Sequence, residues 1–256
     1  MARAKVAFVT GGGRGIGRAC ALRLALEGLA VAVGCRTEAE GRSAATEISR
    51  AGGTAIAVRL DVSDPESVGA AFESAETALG PVDVLVCAAG VSSSAKFLET
   101  DLETWRGTLA VNLTGPVLCA RAVLHGMIER NFGRIVVVGS TASLAGAPYV
   151  SAYAASKHGV LGFVRALAAE VARKDITVNC VCPGYVDTAM TAATVRRIVE
   201  KTGRSPEEAR KSLEAMSPAG RLLRPDEVAD AVAWLAREDS TAVNGQAVVL
   251  GGGAAH

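Results

Sequence analysis

The sequence predicts an α/β fold built on a parallel sheet, and two patterns carry that prediction. Short apolar, valine-rich runs recur along the chain, and helix-like stretches rich in Ala, Leu, Glu and Arg lie between them. Runs that are apolar almost throughout indicate strands buried on both faces of a sheet. Repeated alternation of strand and helix is typical of parallel strands joined by crossover helices.

Seven such runs follow one another in chain order, at residues 5–10, 31–35, 54–60, 82–87, 133–140, 176–183 and 246–250. Seven strands with right-handed crossovers make a doubly wound, Rossmann-like domain: a mostly parallel sheet with helices on both faces. No charge block, composition shift or Ser/Pro-rich linker divides the 256 residues, so we expect a single domain, 1–256.

Charge and composition exclude several classes of partner. The 27 basic and 26 acidic residues leave a net charge of +1, which gives no field that would gather nucleic acid or an anionic membrane. The amino terminus lacks the long apolar stretch of a signal peptide, and no run approaches the ~20 apolar residues that a bilayer span needs. The six cysteines show no CxxC and no pairing with histidine. We therefore expect a cytoplasmic protein with buried thiols and no metal site.

A glycine-rich stretch, TGGGRGIG at residues 10–17, follows the first predicted strand and precedes an amphipathic helix. Glycines permit backbone angles closed to other residues and let a ligand approach the main chain. The N-terminus of the next helix offers unpaired N–H groups and partial positive charge, which suit a pyrophosphate. The spacing of Gly11, Gly15 and Gly17 differs from the common GxGxxG fingerprint. The setting predicts a dinucleotide-binding loop, and a glycine-rich turn without a ligand is the alternative.

Two arginines bear on which dinucleotide is bound. Arg14 lies among the glycines, and Arg36 follows the second predicted strand, where an acidic residue would bind the adenosine ribose hydroxyls of NAD. An arginine there suits the extra 2′-phosphate of NADP, because a guanidinium attracts phosphate with directional hydrogen bonds. Each arginine alone fits a solvated surface charge equally well. Together they predict NADP(H) as the cofactor.

A second constellation lies in mid-chain. Ser140 ends the fifth predicted strand, and Tyr153 and Lys157 stand four residues apart at the start of a long predicted helix, hence on one face. A free tyrosine, with a pKa of about 10, holds its proton at neutral pH, whereas a nearby ammonium favours the phenolate. Tyr153 could then exchange a proton with a substrate oxygen to which Ser140 donates a hydrogen bond. The alternative is an ordinary Tyr–Lys pair on a helix surface.

In order along the chain, these motifs resemble the classical short-chain dehydrogenase/reductase family from Lys5 to about Gly252. TGGGRGIG is similar to the family's TGxxxGxG loop, YAASK to its YxxxK motif, and CPGYVDT to the segment that holds the nicotinamide carboxamide. The segment LDV resembles the family's adenine-contacting stretch, with Asp61 as the hydrogen-bond partner. With the arginines, the resemblance implies cofactor contacts from Gly11, Arg14, Gly15, Ile16, Gly17, Arg36, Asp61, Val62, Ala89, Gly90, Tyr153, Lys157, Pro183, Gly184, Val186 and Thr188.

The resemblance also implies a mechanism in which the nicotinamide delivers a hydride to a carbonyl carbon. Tyr153 donates the proton, Ser140 orients the carbonyl oxygen, and Lys157 favours the phenolate and binds the nicotinamide ribose. Asn112, from the segment VNL, would hold a water of a proton relay; on its own it reads as a helix residue that satisfies a backbone group.

Two stretches depart from the family pattern. Where the family has Asn-Asn-Ala-Gly this chain has Cys87–Gly90, so both asparagine side chains are missing, although Gly90 still lets a cofactor approach. Near the carboxyl end Gly251 stands where many members have Asp, which affects a turn rather than the chemistry.

Among members of the family, the 3-oxoacyl-thioester reductases resemble this chain most: the fatty-acid carrier-protein reductases and the aromatic polyketide ketoreductases. The substrate would be a small carbonyl compound, free or tethered to acyl carrier protein or coenzyme A, under a helical lid at about 189–223. The alternatives are a dehydrogenase of 3-hydroxyacyl-CoA or another secondary alcohol, and a non-catalytic NADP(H) sensor.

Two further expectations concern partners. The charge run of the lid fits a solvated helix face, with contact to a phosphopantetheine or coenzyme A phosphate as the alternative. A docking patch for an acidic carrier protein could combine Arg130, Arg134, Arg173 and Lys174. The resemblance implies a homotetramer, with interfaces along the predicted helices 102–130 and 151–174.

Overall fold

The computed structural model describes residues 3–253 of the chain, so the ends of the predicted domain, 1–2 and 254–256, lie outside the described residues. Seven strands form one sheet in the order β3-β2-β1-β4-β5-β6-β7. They are β1 (Val6–Thr10), β2 (Ala30–Cys35), β3 (Ala55–Arg59), β4 (Val82–Cys87), β5 (Gly133–Val138), β6 (Ile176–Pro183) and β7 (Ala247–Leu250). Every neighbouring pair of these strands is parallel, so the sheet that the sequence predicted to be mostly parallel is parallel throughout its seven described strands.

Helices connect the strands and cover both faces of the sheet. In chain order they are α1 (Gly15–Leu26), α2 (Glu38–Arg50), α3 (Pro65–Leu79), α4 (Leu102–Leu109), α5 (Gly115–Arg130), α6 (Ser151–Glu170), α7 (Ala189–Thr202), α8 (Pro206–Glu214) and α9 (Pro225–Ala236). A π-helical turn, Ala110–Thr114, joins α4 to α5. The strand order reverses between β1 and β4, and open α/β sheets bind ligands beside such a point at the carboxyl ends of the strands.

The core has two layers because successive residues of a buried strand point to opposite faces. On β1, Val6 and Phe8 pack with residues of α3, α5 and α6, whereas Ala7 and Val9 pack with residues of α1, α2 and α9. Both sets are fully buried, which explains why β1 is apolar from Val6 to Val9. The doubly wound architecture predicted from continuous apolar runs is therefore confirmed.

One helical stretch, Leu102–Arg130, is long and apolar enough to cross a membrane by length and composition alone. The sequence expectation did not treat α4, the π-helical turn and α5 as one helix. Core helices of soluble proteins pass the same test. Here α4 packs against α6, and α5 packs against β4 and α3.

The proposed carrier-protein patch is wrong in one member. Arg134 is fully buried, and its guanidinium donates to the backbone oxygens of Asp175, Arg237 and Glu238 at 2.9–3.1 Å. It joins the start of β5 to two neighbouring segments of the chain and presents no charge to a partner. Arg130 is also engaged, because it donates to the backbone oxygen of Val82 at 2.7 Å. The four basic residues therefore do not form one exposed patch.

Candidate active site

The glycine loop between β1 and α1 lies directly against the end of β4. Gly11 has φ +66°, and a Cβ built on it would lie 2.8 Å from the backbone of Ala89. A Cβ on Gly17 would overlap the carbonyl oxygen of Gly11, so the loop can fold onto the first turn of α1 only with glycine there. No side chain caps the N-terminus of α1, and its first turn carries no acidic residue. The exposed N–H groups and positive helix end leave a cradle suited to a pyrophosphate.

Arg14 and Arg36 both extend into solvent beside this loop. Their side chains are 69% and 66% exposed, and each lies at the limit of ion-pair distance from a carboxylate: Arg14 is 3.8 Å from Glu40, and Arg36 is 4.0 Å from Asp61. Neither guanidinium is committed to a close partner among the described residues. Both could therefore turn toward an added phosphate.

Asp61, predicted from the resemblance to contact the adenine, is held in a turn after β3. Its Oδ1 accepts hydrogen bonds from the hydroxyl and the backbone N–H of Ser63, at 2.6 and 3.0 Å. These hydrogen bonds, with the charge of Arg36, hold the pKa of Asp61 below its ordinary value. The neighbouring Val62 packs on Gly115 at the start of α5. Asp61 is thus an ionised acceptor at the edge of the cleft.

The segment that replaces the family's asparagines is fastened from two sides. The hydroxyl oxygen of Thr10 accepts the N–H groups of Ala88 and Ala89, at 3.1 and 3.2 Å. The side chain of Asn112 binds Val91 from the other side, accepting its N–H and donating to its carbonyl oxygen, both at 2.9 Å. The turn after β4 therefore keeps a fixed backbone without asparagine side chains of its own.

Asn112 is buried in the π-helical turn, and the second hydrogen of its amide goes to the hydroxyl of Ser156 at 3.1 Å. Its side chain thus satisfies backbone groups, which is the alternative that the sequence left open. The water relay implied by the resemblance stays a prediction, and these contacts do not test it.

Tyr153 lies in the first turn of α6, and Lys157 lies one turn further on. Lys157 is only 5% exposed, and its ammonium donates to the carbonyl oxygen of Val138 at 2.8 Å. The same ammonium lies 5.7 Å from the centre of the Tyr153 ring. The first turn of α6, which contains Tyr153, carries no acidic residue. The ring of Tyr153 therefore has a buried cation beside it and no carboxylate from its own helical turn.

Ser140 follows the end of β5 by two residues and begins a short 3₁₀ turn, Thr141–Ser143. Its oxygen accepts the N–H of Ala142 at 3.1 Å. A hydroxyl has one donor and two acceptor positions, and within residues 3–253 the donor of Ser140 meets no acceptor. Ser140 therefore has a donor available for a bound oxygen, and its predicted role in orienting a substrate carbonyl stays a prediction.

The Pro183–Thr188 segment leaves the end of β6 and completes the same edge of the sheet. Gly184 donates its N–H to Leu250 at 3.0 Å, and Val186 forms a parallel bridge with Leu223. Thr188 precedes α7, and its methyl group lies 3.4 Å from the Cβ position of Gly15. The predicted nicotinamide segment and the glycine loop are therefore in contact, and the predicted cofactor residues converge on one edge.

Three residues at this edge were missed by the sequence reasoning. Thr10 fastens the turn after β4, and its place in the first glycine motif was the available signal. Glu40 faces Arg14 from α2, and nothing in its local sequence marks it. Tyr185 is 37% exposed, and the burial of the rest of its side chain, together with the nearby Tyr153, raises the pKa of its hydroxyl.

Comparisons with known proteins agree with this geometry. The family model described as short chain dehydrogenase matches residues 5–198. A provisionally assigned ketoacyl reductase of Streptomyces coelicolor is 41% identical over 97% of this chain and 96% of its own length. The 3-oxoacyl-(acyl-carrier-protein) reductase FabG of Escherichia coli is 35% identical over 97% and 96%. A solved variant of actinorhodin polyketide ketoreductase with NADPH superposes with a TM-score of 0.95 at 40% identity, covering 98% of this chain and 97% of the other.

The chain belongs to the short-chain dehydrogenase/reductase family. It is an oxidoreductase that acts on alcohol or carbonyl groups with a nicotinamide cofactor. The resemblance drawn from the motifs of the sequence is thereby confirmed.

Proposed function

We propose that this protein is an NADPH-dependent reductase of ketones, and that its substrate is a 3-oxoacyl thioester carried by acyl carrier protein or coenzyme A. The observation that carries the proposal is the convergence of an uncommitted Ser140 hydroxyl, Tyr153 and a buried Lys157 at the edge that holds the glycine loop. The names of the two relatives and of the solved neighbour support a 3-oxoacyl or polyketide ketone.

In this proposal the glycine loop and the Pro183–Thr188 segment would hold the nicotinamide cofactor, which would supply a hydride for the carbonyl carbon. Ser140 donates a hydrogen bond to the carbonyl oxygen and fixes its position. Tyr153 transfers its proton to that oxygen, so that hydride and proton together convert the ketone to an alcohol. Lys157 stabilises the phenolate that remains, because its ammonium is buried and held on the carbonyl oxygen of Val138.

The choice of NADPH rests on Arg14 and Arg36. Both guanidinium groups are exposed beside the end of β2, where each faces one carboxylate among the described residues, at 3.8 and 4.0 Å. A 2′-phosphate would offer them shorter, charge-assisted hydrogen bonds. NADH lacks this phosphate and would gain nothing from either arginine.

The predicted lid, 189–223, gives the substrate side of the site. It begins at α7, includes α8, and returns to its starting point where Leu223 bridges Val186. Asp187 donates its N–H to Leu223, and Leu223 donates to Tyr185, at 2.8 and 2.9 Å. A segment anchored at one place by both ends can cover a substrate without disturbing the sheet. We propose that this lid contacts the acyl chain of the substrate and its carrier.

We further propose a cytoplasmic homotetramer, as the sequence predicted. All six cysteines are free and buried, as expected of a protein kept in a reducing compartment. Exposed apolar side chains cluster just before and within α4, namely Phe97, Leu98 and Leu102, which are 71%, 95% and 66% exposed. A second copy that covers this cluster would remove a large apolar surface from water.

The test is a panel of carbonyl substrates assayed with NADPH and with NADH. We expect turnover of acetoacetyl-CoA with NADPH and a much weaker rate with NADH. Turnover of small ketones or steroids without any turnover of thioesters would contradict the thioester assignment. Oxidation of 3-hydroxyacyl-CoA in preference to reduction would favour a dehydrogenase. NADPH binding without turnover of any carbonyl would favour a sensor.

A further inference from the structure

A second serine, Ser143, holds the turn that presents Ser140. The N–H of Ser140 donates to the hydroxyl oxygen of Ser143 at 3.2 Å, while Ser140 accepts the N–H of Ala142 at 3.1 Å. The two serines form a reciprocal capping box around the 3₁₀ turn. Ser143 is 2% exposed, so it does not reach the cleft itself.

The Ser143 side chain is closely packed beneath this turn. A Cβ built on Gly139 would lie 2.9 Å from the Ser143 hydroxyl oxygen and 3.2 Å from the sulfur of Cys182. The sulfur atoms of Cys180 and Cys182 lie 3.6 Å apart on the same face of β6, because side chains two residues apart on a strand point to the same side. Ser143 is thus enclosed between Gly139 and a pair of buried thiols.

The surroundings of Cys182 agree with the close packing of Ser143 beside the two thiols. The pKa of Cys182 is lowered to about 7, first by the thiol of Cys180 and then by the Ser143 hydroxyl, the N–H of Ser140 and the charge of Lys157. The Ser143 oxygen has two acceptor positions, and one of them takes the N–H of Ser140 at 3.2 Å.

We propose that Ser143 is a positioning residue for the reduction. By accepting the N–H of Ser140, it keeps the oxygen of Ser140 on the N–H of Ala142 and leaves the Ser140 proton for the substrate oxygen. The inference rests on the proposed function, in which Ser140 donates to that oxygen.

Replacing Ser143 by alanine removes the acceptor without adding bulk. The N–H of Ser140 then loses its oxygen partner, and the hydroxyl of Ser140 gains freedom to leave Ala142. We expect Ser143→Ala to lower kcat about tenfold, the factor that one hydrogen bond of average strength represents. The KM for NADPH should stay unchanged, because Ser143 lies behind the turn and not beside the glycine loop.

A double-mutant cycle separates positioning from general damage to the fold. Ser140→Ala, Ser143→Ala and the double variant are assayed for kcat, with enough enzyme to measure the residual rate of the Ser140 variants, and for Tm. If Ser143 acts through Ser140, Ser143→Ala costs about tenfold in the parent and nothing in the Ser140→Ala background. Thr177→Val is the matched control, since it deletes a buried hydroxyl that has no partner among the described residues. We expect this control to keep full kcat.

Two results would overturn the inference. One is an equal loss of kcat from Ser143→Ala in both backgrounds, which would mean that Ser143 serves only the fold. The other is full activity of Ser143→Ala beside an impaired Ser140→Ala, which would leave the proposed function standing alone. Full activity of Ser140→Ala would instead refute the role of Ser140 in the proposed function and the positioning role with it.

Discussion

The proposed catalytic floor (Asn112, Ser140, Tyr153 and Lys157) and the proposed lid (189–223) hold their polar side chains in different ways. Asn112 and Lys157 are buried and are fixed by hydrogen bonds to backbone groups. The lid residues Arg210 and Lys211 are exposed and pair with other charged side chains. Buried hydrogen bonds to the backbone hold a side chain in one geometry. Exposed ion pairs contribute little to stability and weaken as salt is added.

This difference teaches which part of the molecule determines which property. A floor that is already assembled without a substrate specifies the chemical step. A lid held by solvated charges can change its sequence, length and contacts without disturbing that step. The reaction class should therefore be robust in this chain, and substrate preference should depend on the lid.

The largest effect is expected from the floor, at Tyr153. Tyr153→Phe removes the transferable proton and leaves the ring in place, so kcat should fall by about 10²- to 10⁴-fold, the usual contribution of general acid catalysis. NADPH binding, followed by its fluorescence, should largely persist, because the glycine loop and the arginines are untouched. Tyr149→Phe is the matched control, since it deletes an exposed phenol in the loop before α6. Full turnover by Tyr153→Phe would show that Tyr153 is not the proton donor and would refute the proposed mechanism.

Much of the floor could be predicted from sequence because its signals are local. A four-residue spacing on a helix places Tyr153 and Lys157 on one face whatever the rest of the fold does. Strands buried on both faces must be apolar throughout, so the seven runs predicted the sheet. Glycines at a strand-to-helix junction predicted the loop, since few other residues fit there.

Other features depend on contacts between segments that lie far apart in the chain. The sequence placed Arg134 in an exposed basic patch. Its guanidinium instead donates to the backbone oxygens of three residues far away in the chain, and no local sequence pattern marks those partners. Asn112 fastens Val91 through tertiary contact, and no spacing rule marks that pair. Glu40 reaches Arg14 only because α2 packs beside the glycine loop.

Arg36 is exposed like the charged residues of the lid, but we expect it to contribute to cofactor binding. Its protein partner is a carboxylate 4.0 Å away, but a 2′-phosphate would accept direct hydrogen bonds from it. We expect Arg36→Ala to raise the KM for NADPH about 10- to 100-fold, the range for losing a hydrogen bond to a charged group. The KM for NADH should not change. Arg42→Ala, which removes another exposed arginine of the same region, is the control. Equal losses with both nucleotides would refute a phosphate contact.

Glu40 should act in the opposite direction. Its carboxylate lies 3.8 Å from Arg14, where it competes with a phosphate for the guanidinium and repels the phosphate as well. Glu40→Gln should therefore lower the KM for NADPH by about two- to fivefold, in keeping with the modest strength of exposed ion pairs. Glu38→Gln, whose carboxylate pairs with Arg42 instead, is the control. A rise in the KM for NADPH, or an equal change for NADH, would show that Glu40 supports the loop rather than opposing the phosphate.

The smallest effect is expected where the lid meets the nicotinamide segment. Arg210 on α8 forms a fork with the carboxylate of Asp187, at 2.8 and 3.2 Å, and Asp187 adjoins Thr188. The same fork holds the pKa of Asp187 below its ordinary value. Arg210→Gln should raise the KM for NADPH by at most about threefold, because both partners are exposed, and added salt should erase the difference between variant and parent. Lys211→Gln, which breaks a pair within α8 alone, should change nothing. A loss of kcat as large as that of Tyr153→Phe would mean that the lid belongs to the floor, and the contrast between the two regions would fail.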